Sequence, residues 1–285
     1  MRKSLLFIFL VFLSTAINAA TLKDTVLTFD KKFIECEHKW VALMNKDKIL
    51  SYGFVYIDTQ AGLTLDVAGT FKIENDVFIP NRRENSSVKV RIPVTNNPVA
   101  IIPNHRFKEM GITEVPEWLK SYTGESPSAN RLYRIGFVYN EWSKSDLALP
   151  YLEKAKAIDP NIKGLKAEFA FAYNVLKEYG KAVAVLKDAI NDTPNDCYLH
   201  KEMVYAQMNL GLADKARESA IKGIANCSDK SLKAEMAYNI VYQYFNLKDK
   251  KQFEDWANET AKWVNTDHQY IKLIGELRTR LDQKK

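Results

Sequence analysis

The chain is poor in the residues that carry chemistry. Its 285 residues include three cysteines and four histidines. His38, His105, His200 and His268 lie in different expected elements and share no spacing. No nucleophile elbow, Walker loop, dinucleotide glycine motif or paired-histidine zinc helix occurs. The sequence therefore points to no catalytic residue, no metal and no cofactor. It also lacks an excess of charge of one sign. The formal surplus is +6, and residues 21–125 hold 14 basic and 14 acidic side chains. In the later half Lys and Arg are dispersed among Asp and Glu, whereas a nucleic-acid binder concentrates them on one face. Nucleic acid is accordingly not an expected partner.

Long apolar runs are missing too, with one exception at the start. Residues 5–13 are unbroken apolar, too short to span a bilayer, and Arg2 and Lys3 precede them. Small residues ending INAA follow. This pattern predicts a signal peptide over residues 1–20, cleaved near Ala19 or Ala20, and a periplasmic or secreted product. No other stretch approaches the roughly 20 apolar residues of a spanning helix. Removing Arg2 and Lys3 leaves 39 basic against 35 acidic residues, a mild surplus of +4.

What is present is a folded composition, with 46% hydrophobic and 27% charged residues, enough to bury a core. Two periods divide it. Residues 21–120 alternate in twos. In YGFVYID, Phe54 and Tyr56 fall on one side and Val55 and Ile57 on the other. Leu63, Leu65 and Val67 share a face, as do Val88, Val90, Ile92 and Val94, with Lys89 and Arg91 opposite. Such alternation marks half-buried strands. The turn-rich pieces DTQAG, NRRENSS and TNNP separate them, and VAIIPN is a further strand between Pro98 and Pro103. The expectation is a small antiparallel sheet or sandwich. EVPEWLKSY predicts a turn or two of helix, and residues 121–128 read as a linker.

From residue 129 to 285 the period is helical, and the pattern is written more than once. Leu132, Ile135, Gly136 and Tyr139 form one stripe; Ala148, Leu152 and Ala155 form the facing stripe; Pro160 ends the unit. Thirty-four residues later come Phe169, Ala170 and Tyr173, then Ala182, Leu186 and Ala189, then Pro194. Small residues let two helices approach, and the larger ones fill the space around the contact. A third copy near 197–230 keeps Gly211 and Ala216 but has Gln207 and Ala220 at the aromatic and leucine places. A fourth, near 234–264, recovers Tyr244 and adds Trp256 and Trp263. The last helix, near 267–283, carries Tyr270, Ile271, Ile274, Leu277 and Leu281 on one side and charge on the other, as a terminal cap needs.

A 34-residue helix–turn–helix unit with these small, aromatic and proline places resembles the tetratricopeptide repeat family. The resemblance implies an α-α superhelix of about four helix pairs with a capping helix; with the small antiparallel β domain read from the alternation before it, the expected class is α+β. It also implies protein–protein interaction, with the first helix of each pair lining a concave groove. The second stripe on those helices is Tyr133, Phe137, Asn140, Phe171, Asn174, Tyr198, Lys201, Tyr205, Met208, Tyr238, Tyr242 and Phe245. An aromatic recurs at 137, 171, 205 and 242. Rings give stiff contact area and Tyr and Asn add hydrogen bonds, so this stripe is the candidate peptide site; packing against neighbouring helices is its other reading.

Two smaller features remain. In ECEH, residues 35–38, a strand would place Cys36 and His38 on one face, a pair too small for zinc by itself. Cys197 opens the first helix of the third pair and Cys227 closes its second, so an antiparallel hairpin brings them together as a disulfide candidate. Whether Cys36 is free is open at this stage. The functional expectation is an exported, non-enzymatic module that binds a peptide segment of a partner. An enzyme with its site in the β half or at the junction, and a structural protein of the cell envelope, are the alternatives.

Overall fold

A computed structural model describes residues 27–83, 88–123 and 128–283. The expected signal peptide, and part of the expected linker, lie outside the described residues. The first half is one antiparallel sheet. Its strands are β1 (Lys39–Met44), β2 (Leu50–Asp58), β3 (Gly62–Glu74), β4 (Val77–Arg82), β5 (Val88–Arg91) and β6 (Ala100–Ile101). The order is β4-β3-β2-β1-β6, and the long β3 carries β5 beside its first half and β4 beside its second.

The alternation of β2 sets the two faces of this sheet. Phe54 and Tyr56 join Trp40, Tyr52, Phe71 and Phe78 in one core; Val55 and Ile57 join Val41, Leu63 and Leu65 in another. A strand apolar on both sides is central and covered twice, so the expectation of half-buried strands is corrected here: β2 is buried from Tyr52 to Ile57. No second sheet stacks on the first among the described residues. Helices cover it. On the Phe54 face lie α1 (Phe107–Met110) and α2 (Glu117–Thr123), through Met110 and Leu119. The Trp40 indole donates to the Thr113 carbonyl at 2.8 Å. Buried Arg106 ties the β3–β4 turn to α1 by bonding Asp76 Oδ1 at 2.7 Å and Glu109.

Two local departures have plain causes. Between Tyr52↔Gly69 and Gly53↔Val67 the register skips Ala68, a bulge that swaps the faces of β3 beyond it. The Val88 stripe is expected to run to Val94, but the strand ends at Arg91: Val90 is exposed because β5 lies at the sheet margin, and Val94 because it lies beyond the strand. ECEH is not a strand. Residues 33–36 form a 3-10 turn, the Glu35 carboxylate accepts from the Lys32 backbone, and His38 takes a left-handed φ of 58° that starts β1. Cys36 is left buried and free while His38 is exposed, so the two do not share a face.

The second half is four helix pairs and a cap. They are α3 (Ala129–Glu141) with α4 (Ser145–Ile158), α5 (Leu165–Val175) with α6 (Tyr179–Asp192), α7 (Cys197–Asn209) with α8 (Ala213–Asn226), and α9 (Lys230–Leu247) with α10 (Lys250–Ala261). Helix α11 (Gln269–Gln283) buries Ile274 and Leu277 against the last pair. Ser128, Asp196, Asp229 and Asp249 cap their helices by accepting backbone N–H groups. The turn within each pair repeats as well. Ser143, Lys177, Gly211 and Lys248 all take φ between 56° and 72°, and the next N–H reaches back to the carbonyl of Tyr139, Tyr173, Gln207 or Tyr244. The third pair is thus regular in backbone although its side chains depart most from the pattern. There Cys197 and Cys227 form a disulfide with Cα atoms 4.9 Å apart.

The sheet closes the open end of the stack. Its Val55 face shares one core with Leu132, Ile135 and Val138 of α3 and with Trp142, which caps that helix. Arg134 donates to the Thr59 carbonyl at 3.0 Å, Lys144 pairs with Glu35 at 2.7 Å, and the Tyr139 hydroxyl donates to Glu37.

Candidate functional site

The row of first helices forms one wall of the stack. Each packs on the next first helix, α3 on α5, α5 on α7 and α7 on α9, while each second helix packs back onto the first helix that follows. Side chains at one place on successive first helices therefore fall side by side.

Four of the expected groove residues converge. Phe171 and Asn174 from α5 meet Lys201 and Tyr205 from α7 around an open pocket of about 240 Å³, completed by Val175, Glu202 and Glu235. Tyr205 is 41% exposed and stands edge-on to Tyr179 at 6.2 Å. The Lys201 ammonium lies 4.6 Å over the Tyr198 ring, 2.7 Å from Glu202 and 3.9 Å from Glu235. Burial pushes the Tyr198 phenol well above its usual range, reinforced by the Glu202 and Glu168 carboxylates, so it stays a neutral hydrogen-bonding group.

The two asparagines belong to the frame of this wall. Asn140 donates to the Glu168 backbone and carboxylate at 3.0 and 2.9 Å. Asn174 repeats the contact one pair later, donating to the Glu202 backbone and carboxylate at 3.2 and 2.7 Å. Both are buried. The copies differ at the other end of the amide. The Asn140 oxygen accepts from Ser145 Oγ at 2.9 Å. The residue 34 positions after Ser145 is Tyr179, and the Asn174 oxygen has no partner among the described residues.

The remaining stripe residues lie apart from that pocket. Tyr133 and Phe137 pack onto the core shared with the sheet, Phe137 beneath the Arg134 guanidinium at 4.7 Å. Met208 packs into the core of the last two pairs. Tyr238 stacks on Tyr270 of the capping helix at 4.6 Å, and Tyr242 stacks on Phe245 at 6.3 Å with nearly half its surface open. Phe245 lines a separate depression with Lys248, Lys250 and Arg280.

The aromatic reading missed the acidic residues. Glu168, Glu202 and Glu235 follow one another on α5, α7 and α9 at spacings of 34 and 33 residues. That recurrence was visible in the chain, but a periodic carboxylate on a helix reads first as a solvated face. Burial raises the Glu168 carboxyl above its ordinary range, opposed by the Asn140 hydrogen bond.

The class this defines is α+β: an antiparallel sheet seated on the end of a stack of tetratricopeptide-like helix pairs, whose first three keep the 34-residue period while the longer α9 stretches the last interval to 37. No family model matches the sequence, and no curated protein sequence matches it. Among solved structures the chain is similar to three MamA chains. The structure described as MamA RS-1 ArsTM double mutant is 15% identical, with 59% of this chain and 85% of that one covered and a TM-score of 0.45. MamA MSR-1 C2 is 18% identical over 54% and 78%, with a TM-score of 0.40. MamA residues 41 to the end from Desulfovibrio magneticus RS-1 is 15% identical over 57% and 83%, with a TM-score of 0.44.

Proposed function

We propose that this chain is an exported, non-enzymatic interaction module that holds a peptide segment of a partner protein against the wall of first helices. In this reading the β-rich part, residues 21–120, is the N-terminal cap of the repeat part, residues 129–285, with residues 121–128 joining them. One observation carries the reading: Phe171, Asn174, Lys201 and Tyr205, from two successive first helices, meet at one open pocket. Rings with polar neighbours on a rigid scaffold suit a peptide, whose side chains enter pockets while its backbone finds hydrogen bonds. The cap favours this use, because the sheet buries its Val55 face against α3 and leaves the pocket between α5, α7 and α9 uncovered.

Export is supported by the Cys197–Cys227 disulfide, a bond that persists in oxidising compartments. Among the described residues no helix is long and apolar enough to cross a membrane. The test compares proteins recovered by the native chain and by a Phe171→Ala/Tyr205→Ala variant of unchanged thermal stability. The variant is expected to lose partners that the native chain retains. Equal recovery by both would count against the groove.

A further inference from the structure

The pocket between Phe171 and Tyr205 is lined by two carboxylates and one cation. The Asn174 oxygen is buried and unpartnered among the described residues. It is so for a reason internal to the repeat: the serine hydroxyl that serves Asn140 is replaced by Tyr179. Beside it stand the Glu202 and Glu235 carboxylates. Glu202 already accepts from the Asn174 amide and lies 2.7 Å from the Lys201 ammonium, whereas Glu235 has that same cation only at 3.9 Å, beyond hydrogen-bond reach. The faces of Phe171 and Tyr205 complete the lining. Acceptors, uncompensated negative charge and aromatic faces are the environment that a guanidinium or ammonium group prefers. Lys201 already shows the preference, its ammonium seated over the Tyr198 ring between the two carboxylates.

The pocket's size matches one side chain. Its volume of about 240 Å³ lies below the roughly 300–1,000 Å³ of small-molecule sites. It is also one segment of a longer wall, with Tyr242 open on the next first helix. An extended segment fits that arrangement better than a compact ligand.

We infer that the partner segment is cationic, and that an Arg or Lys side chain enters this pocket between Phe171 and Tyr205, with its charged head beside the Glu235 and Glu202 carboxylates. This rests on the groove reading above and adds the chemistry of the occupant. The ligand's backbone and remaining side chains then run along the row of first helices.

The test is selection from a phage-displayed library of random linear 12-residue peptides on the full chain, in parallel with Phe171→Ala/Tyr205→Ala, Glu235→Gln and Glu235→Lys. Glu235 is partly exposed, so its variants are expected to keep the native melting temperature. Selected peptides should be enriched in Arg or Lys. Their affinity should fall about tenfold with Glu235→Gln, be lost with Glu235→Lys, and weaken as salt rises from about 50 to about 300 mM. Acidic or uncharged peptides that bind the native chain but not the Phe171→Ala/Tyr205→Ala variant would overturn the cationic inference and leave the groove standing. Peptides indifferent to both sets of substitutions would overturn the two readings together.

Discussion

Asn174 donates its side-chain amide to the Glu202 carboxylate at 2.7 Å, across the boundary between the second and third helix pairs. Asn140 and Glu168 make the same contact between the first and second pairs. Each contact also takes in the backbone carbonyl of the same glutamate. The pair thus acts as a staple, holding a carboxylate at the wall while fixing one first helix against the next. Asn174→Ala is expected to cost about 1.5–3 kcal/mol, since it removes bonds to a buried charged group. A double-mutant cycle with Glu202→Gln should show coupling of at least about 0.5 kcal/mol in chemical denaturation. Additive effects would mean that the staple does not join the pairs.

Gly136 sits where the first pair is tightest. A Cβ there would come within 2.6 Å of Leu152 Cδ2, so Gly136→Ala should destabilise by about 1–3 kcal/mol despite alanine's better helix propensity. Thermal unfolding measures it. A gain in stability would show that Leu152 has room to move aside.

The disulfide and the lone thiol make a paired prediction. Cys197→Ser/Cys227→Ser should lower stability by up to about 3–4 kcal/mol, the scale for a loop of this length. In the native protein, thiol titration at about pH 8 should find no fast-reacting group: Cys36 is fully buried, and burial pushes its thiol up to about 11. One thiol per chain should appear on unfolding without reductant. Three would mean that Cys197 and Cys227 are reduced.

Acid should loosen both ends of the stack. Hydrogen bonds from Lys144 and Arg278 hold the Glu35 and Glu254 carboxyls below their ordinary range. A carboxyl lowered in the folded state adds stability that is present above its unfolded pKa and fades as pH falls through the folded value. Stability should therefore decline from about pH 5 to about pH 3, and Glu254→Gln should flatten part of that slope. Glu168 acts in the opposite sense. Its raised carboxyl makes folding less favourable as pH rises through its folded value, so Glu168→Gln should gain relative stability towards neutral pH. Denaturation midpoints across this range test both signs.

The helical half was legible because its signal is long. A 34-residue recurrence of Gly136, Leu152 and Tyr139 with their counterparts specifies which faces meet. The two sides of β2 were legible in YGFVYID, but their double burial was missed; apolar residues on both sides are the mark of a central strand. The bulge at Ala68 left no trace in a period-two pattern, since one extra residue is invisible until the partner strand is known. Docking of the sheet onto α3 is a tertiary event. Its sole local sign was the additional apolar pair Val138 and Trp142, outside the stripe that meets α4. At the pocket, the aromatic members could be read from their recurrence, whereas the acceptor left open by Ser145 becoming Tyr179 needed coordinates.

The central claim is that the wall of first helices is the binding face. Site-specific photo-crosslinking in the native compartment tests it most directly, with a benzophenone side chain placed at Tyr205 or Tyr242 on that wall, or at Ile158 or Ile221 on second helices, all well exposed. The account predicts one shared protein adduct from positions 205 and 242 and none from 158 and 221. An adduct formed equally from the second helices, or only from them, would contradict it.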